Sequence, residues 1–132
     1  MRMSENLDLE LCPCGSDQDY KQCCGALHLG QRKAQSAEEL MRSRYAAYVK
    51  GEIDYLLETT DPGTRRYYSR NSIENWSKNV HWLGLEVVHV SEKRVRFIAT
   101  YLDENRMLCK HREDSTFSCK QGTWFFVDGK DF

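Results

Sequence analysis

Four of the six cysteines fall within thirteen residues, at Cys12, Cys14, Cys23 and Cys24. Their spacing is Cys-x-Cys-x8-Cys-Cys, two pairs of soft donors separated by a loop. Zinc takes four such ligands tetrahedrally and brings no redox chemistry of its own. Pro13 stiffens the first pair, and Gly15 lets the backbone fold tightly behind the metal. A segment this short cannot bury enough apolar surface to fold unaided, whereas metal binding contributes on the order of 10 kcal/mol. One structural zinc is therefore expected. A catalytic zinc needs an open coordination position, which four thiolates would close. A redox pair wants Cys-x-x-Cys at a helix start, a spacing neither pair has. Adjacent side chains on a helix diverge by about 100°. Cys23 and Cys24 can thus both ligate only where the backbone is irregular, and His28 is the natural substitute for one of them.

A second set of residues could do acid–base or binding chemistry. Arg44 sits one helical turn from Leu40 and Tyr48, on the apolar side of a helix, with Tyr45 beside it. A buried arginine needs a carboxylate partner. If Gln121-Gly122 is a two-residue turn, Cys119 pairs with Trp124, Phe117 with Phe126 and Ser115 with Asp128. His111, Glu113, Ser115 and Asp128 then share one face of the sheet. Arg44, Tyr45, Tyr48, Glu113 and Asp128 are the pocket candidates. Glu113 or Asp128 would act as general base or as partner to Arg44; the plainer role is a buried network tying helix to sheet.

The elements that position these groups follow from periodicity. Ser36-Ala37-Glu38-Glu39 is a capping box, with the Glu39 side chain returning a bond to the cap. The helix it opens runs to Lys50 and stops at Gly51. A shorter helix covers Glu52 to Thr59, ended by Asp61-Pro62-Gly63, and a third covers Ser72 to about Lys78. From His81 the period changes from 3.6 to 2. Strands are expected over Trp82–Val90, Arg94–Leu102, Arg106–Cys119 and Thr123–Asp128, the third bending along its length. Helices followed by an antiparallel meander make an α+β fold with the helices on one face of a curved sheet. Leu7, Leu9 and Leu11 are candidate anchors for the N-terminus.

The 132 residues carry 19 Lys and Arg against 20 Asp and Glu, with a mean hydropathy of -0.70. No run of about 18 apolar residues is present, so no membrane span is expected. The N-terminus lacks a signal-peptide core, which points to the cytoplasm and reduced thiols. Residues 1–30 carry five acidic against two basic side chains, and a four-thiolate zinc adds about two negative charges. Such a module repels a phosphate backbone. Arg65-Arg66-Tyr67-Tyr68-Ser69-Arg70 interleaves base and aromatic, a pattern able to bind single-stranded nucleic acid; its plainer role is a solvated loop. Cys109 and Cys119, about 33 Å apart on one strand, are free thiols, since a disulfide needs Cα atoms within about 7 Å. His81, His89 and His111 are read as sheet residues.

Cys12-Pro13-Cys14-Gly15-Ser16 followed by Tyr20-Lys21-Gln22-Cys23-Cys24-Gly25 resembles the SEC-C motif, the small zinc module at the C-terminus of the SecA translocation ATPase. With Ala37-Glu38-Glu39-Leu40-Met41-Arg42-Ser43-Arg44-Tyr45, Trp82-Leu83-Gly84-Leu85, Glu113-Asp114-Ser115-Thr116-Phe117 and Trp124-Phe125-Phe126-Val127-Asp128-Gly129, the series resembles the bacterial YchJ-like family. The resemblance spans nearly the whole chain. It implies a SEC-C module over residues 1–28 and a nuclear transport factor 2-like (cystatin-like) cone over 29–132. That cone is three helices on a curved four-stranded antiparallel sheet. It also implies zinc ligands at Cys12, Cys14, Cys23 and Cys24. Many relatives carry a second SEC-C motif at the C-terminus; this chain stops at Phe132 without one. The resemblance supplies fold and metal but no activity. The leading expectation is a non-enzymatic module with a protein partner, by analogy with SecA. A small-molecule-binding or hydrolytic cone pocket comes next, and ribosome or RNA association third.

Overall fold

In the computed structural model, residues 10–132 are described; Leu7 and Leu9 lie outside that range. Leu11 is 66 % exposed, so it is no anchor, although it forms an isolated bridge with Asp19. A 3-10 turn at Tyr20–Gln22 leads into α1 (Cys24–His28). Three longer helices follow: α2 (Ala37–Lys50), α3 (Ile53–Glu58) and α4 (Arg70–Asn79). Then come β1 (His81–Val90), β2 (Arg94–Leu102), β3 (Leu108–Lys120) and β4 (Thr123–Asp131), antiparallel in the order β1-β2-β3-β4. No described helix is long and apolar enough to cross a membrane.

The helix ends show why the expected boundaries hold. Ser36 Oγ accepts from the Glu39 amide at 3.1 Å, and Gly51 adopts φ 77° to close α2. Glu39 Oε1 accepts instead from the Gln35 amide at 2.7 Å, one residue before the expected site, while Oε2 pairs with Arg32. α4 starts two residues earlier than expected because Ser69 caps it, accepting from the Ser72 amide at 3.0 Å.

The main core lies between α2 and the sheet, where Ala37, Leu40 and Met41 meet Val95, Phe117 and Phe126. Leu27 of α1 belongs to the same cluster. β3 keeps unbroken register with β2, and irregularities fall in β1 and at the β3–β4 pairing. Gln121 (φ 52°) and Gly122 (φ 82°) are both left-handed, the geometry of a tight two-residue hairpin whose twist matches its strands. The loop after α3 is stitched to β4: Asp61 donates to the Phe126 carbonyl at 2.7 Å, and Phe126 donates to that of Thr59 at 2.8 Å.

Candidate functional site

The cysteine cluster is built on an irregular turn. Cys23 ends the 3-10 turn with φ -101° and ψ -115°, outside both helix and strand. That break swings its side chain toward its neighbour's, removing the divergence a regular helix would impose. All four buried sulfurs lie within 4.8 Å of one another, Cys14 and Cys23 at 3.7 Å and Cys23 and Cys24 at 4.0 Å. A tetrahedral site with metal–sulfur bonds of about 2.3 Å has sulfurs about 3.8 Å apart. The four cysteines could thus hold a metal ion. Sulfurs this close cannot all ionise unless a cation joins them. Hydrogen bonds from Cys12 and Cys24 pull Cys14 far below the usual thiol range. The bond to Cys14 pushes Cys12 up to about 11, and bonds to Cys12 and Cys14 push Cys24 higher still.

His28 is not a fourth donor. Its Nε2 lies 2.8 Å from the Ser43 carbonyl, to which it donates, so Nδ1 accepts from the Tyr20 hydroxyl at 2.6 Å. Neither nitrogen is left for a metal, and burial lowers the pKa of the ring, keeping it neutral. The module is clasped to α2 by that bond, by Arg42 Nη1 donating to the Cys14 carbonyl at 2.5 Å, and by Ala46, fully buried against the cysteines. Gly25 is required here: a Cβ would stand 2.6 Å from the Tyr20 carbonyl oxygen.

On the other side of α2 lies a cavity of about 180 Å³ between the helices and the sheet. Arg44, Tyr45, Tyr48 and Glu113 border it, with Trp76 and Trp82 among the aromatic walls. Asp128 does not. An extra residue in β4, Val127, shifts the register so that Asp128 opposes Thr116 and Ser115 opposes Gly129. Asp128 is therefore exposed, off the Glu113 face.

Arg44, 8 % exposed, forms no ion pair with Glu113 or Asp128. Its Nη1 donates to the Leu56 carbonyl at 2.8 Å and the Thr59 hydroxyl at 2.6 Å, at the negative end of α3, and its guanidinium lies 4.4 Å over the Phe126 ring. Burial lowers the Arg44 pKa. Glu113 is held by its own strand: His111 Nε2 lies 2.7 Å from Oε1, and Ser115 donates to Oε2 at 2.5 Å. Burial works to raise its pKa, but these bonds and the Arg44 charge outweigh it, leaving the carboxyl below its ordinary range. Gly129 makes room for this carboxylate, since a Cβ there would overlap Glu113 Oε2.

Sequence reasoning missed Thr59 and Thr60 as the Arg44 cradle, and the aromatic walls from α4 and β1. The Thr-Thr pair just before Asp61-Pro62-Gly63 was the available signal. The Arg65–Arg70 stretch is largely consumed within the chain: Arg65 donates to the Thr60 carbonyl at 3.0 Å, Tyr68 packs on Phe126, and Arg70 pairs with Asp54.

Residues 36–129 match the YchJ middle NTF2-like domain, and residues 10–26 match the SEC-C motif. The chain belongs to the YchJ-like family. A UPF0225 protein of Haemophilus influenzae is 39 % identical, the match covering 96 % of this chain and 81 % of that protein. A UPF0225 protein of Geobacter sulfurreducens is 39 % identical, with 90 % and 78 % covered. The solution structure of a SEC-C motif containing protein from Rhodopseudomonas palustris superposes with a TM-score of 0.84 at 37 % identity, over 93 % of this chain and 99 % of that one. The crystal structure of a SEC-C motif containing protein from Psychrobacter arcticus gives 0.75 at 29 % identity, over 90 % and 81 %. This chain thus shares its α+β fold with both of these SEC-C motif containing proteins.

Proposed function

We propose that this chain binds a small ligand in its cone, and that one Zn²⁺ held by Cys12, Cys14, Cys23 and Cys24 serves only to fix the N-terminal module on α2. The observation carrying this reading is Arg44. It is nearly buried, only its Nη1 is hydrogen-bonded to described residues, and it borders an aromatic-walled cavity. A guanidinium with donors to spare in such a place is a ready anchor for a ligand oxygen. Protein docking through the SEC-C module ranks below this. The module's hydrogen bonds through Cys14 and His28, and its packing on Ala46, are spent on α2.

The test is thermal melting of the zinc-loaded chain with small carboxylates, ketones and phenols, alongside tryptophan fluorescence to report on Trp76 and Trp82. A ligand at about 100 times its Kd adds about 2.7 kcal/mol, or roughly 10 °C in Tm for a chain of this size. No shift in either signal across those classes overturns the reading.

A further inference from the structure

Three polar residues alternate along the inner face of β3: His111, Glu113 and Ser115. Ser115 donates to one oxygen of Glu113, and the other faces His111 Nε2. An ionised carboxylate only accepts, so this bond requires the proton on Nε2. In the neutral ring Nδ1 is then a lone-pair nitrogen, and it has no hydrogen-bond partner among the described residues. The ring borders the cavity, set edge-on against Trp76 at 4.9 Å between centroids. A carboxylate that fixes one imidazole nitrogen and leaves the other free, on a ring beside a cavity, is an arrangement a general base uses. Arg44 borders the same cavity, and its Nε and Nη2 have no hydrogen-bond partner among the described residues.

No cysteine lines this cavity, and the hydroxyl of Ser115 is committed to Glu113. That leaves no free serine hydroxyl or cysteine thiol on the cavity wall as nucleophile for covalent acyl transfer. Proton transfer alone needs none.

We propose that the cavity is an acid–base site for small carbonyl compounds with a proton on the adjacent carbon, His111 acting as base and Arg44 as oxyanion anchor. This rests on the ligand-binding reading above and assigns its chemistry. His111 Nδ1 takes the proton from the α-carbon. The C–H electron pair becomes the carbon–carbon double bond of an enolate, and the carbonyl π pair moves onto the oxygen facing Arg44. Imidazolium then returns the proton to the same carbon, or to a conjugated one, giving exchange or isomerisation with no co-reactant. Ser115 and Glu113 are positioning residues.

Two measurements on the zinc-loaded full chain test this. Long-range ¹H–¹⁵N correlation at pH 8 reads the His111 tautomer: Nε2–H with unprotonated Nδ1 is expected, and Glu113→Gln should erode that preference. The Nδ1–H tautomer in the wild-type chain overturns the proposal without reference to any ligand. Cyclohexanone in D₂O then probes the chemistry. Exchange of its α-protons should run at least about 100-fold faster than with the same concentration of free imidazole. It should fall to background in His111→Gln and stay unchanged in His89→Gln, at an exposed position on β1. Cyclohexanone that shifts the Trp76 or Trp82 indole resonances but exchanges at background rate overturns the acid–base role and leaves the cavity a binding site. Cyclohexanone that moves neither indole overturns the carbonyl assignment, while the Tm panel continues to judge the binding reading separately.

Discussion

Gly129→Ala should destabilise the protein, although a glycine-to-alanine change in a strand ordinarily does the reverse. Gly129 is not in the left-handed region, so alanine meets no backbone strain there. Removing glycine's unfolded-state entropy should then add about 0.5–1 kcal/mol of stability. The side chain of Glu113, however, fills the space where the new methyl group would stand. To admit it, the carboxylate must leave both Ser115 and His111. Hydrogen bonds to a charged group contribute about 1.5–3 kcal/mol each. With 19 % of the Glu113 side chain reaching solvent, water recovers part of that loss. A net destabilisation of about 2–3 kcal/mol follows. Urea unfolding of the zinc-saturated chain at pH 7.5 measures it. The decisive comparison is a double-mutant cycle with Glu113→Ala, in which the obstruction is gone. In that background Gly129→Ala should be neutral or mildly stabilising. A neutral or stabilising effect in the wild-type chain would refute the packing argument, as would equal losses in both backgrounds.

Other consequences can be checked alongside it. Cobalt substitution should give one ion per chain with the intense sulfur-to-metal bands of a tetrathiolate site; each of Cys12→Ser, Cys14→Ser, Cys23→Ser and Cys24→Ser should weaken or abolish them, while Cys109→Ser and Cys119→Ser leave them intact. Gly25→Ala should lower metal retention under chelator challenge, because its Cβ would press on the Tyr20 carbonyl at 2.6 Å. Asp128→Asn should change unfolding free energy by no more than about 0.5 kcal/mol, as befits an exposed position. Glu113 has a folded pKa below its unfolded value, so its contribution is present above about pH 4.3 and is lost as pH falls through the folded pKa. The stability gap between wild type and Glu113→Gln should accordingly narrow in urea titrations run from pH 6 down to pH 3.

The readable parts of this chain were those written in local chemistry. Ser36, Glu39 and Gly51 bound α2 because caps act within a few residues, and Gln121-Gly122 sets the β3–β4 hairpin because both positions take positive φ. The cysteines were legible by type and spacing. Their convergence was expected only on an irregular backbone, and the structure supplies that irregularity at Cys23. Asp128 was misplaced for a related reason: one extra residue at Val127 inverts every side chain beyond it, and Val127 itself carries no mark of a bulge. Arg44 could be assigned to the interior from its helical position. Its partners could not, since the Leu56 carbonyl and Thr59 reach it only once α3 has folded back.

Consecutive residues of α2 face two different tasks. Arg42 and Ser43 hold the cysteine module, through the Cys14 carbonyl and His28, while Arg44 and Tyr45 line the cavity. The helix is thus a party wall between the two. A molecule lodged in the cone should slow the escape of the ion, and by thermodynamic reciprocity the ion should tighten the cone's grip on its guest by the same factor.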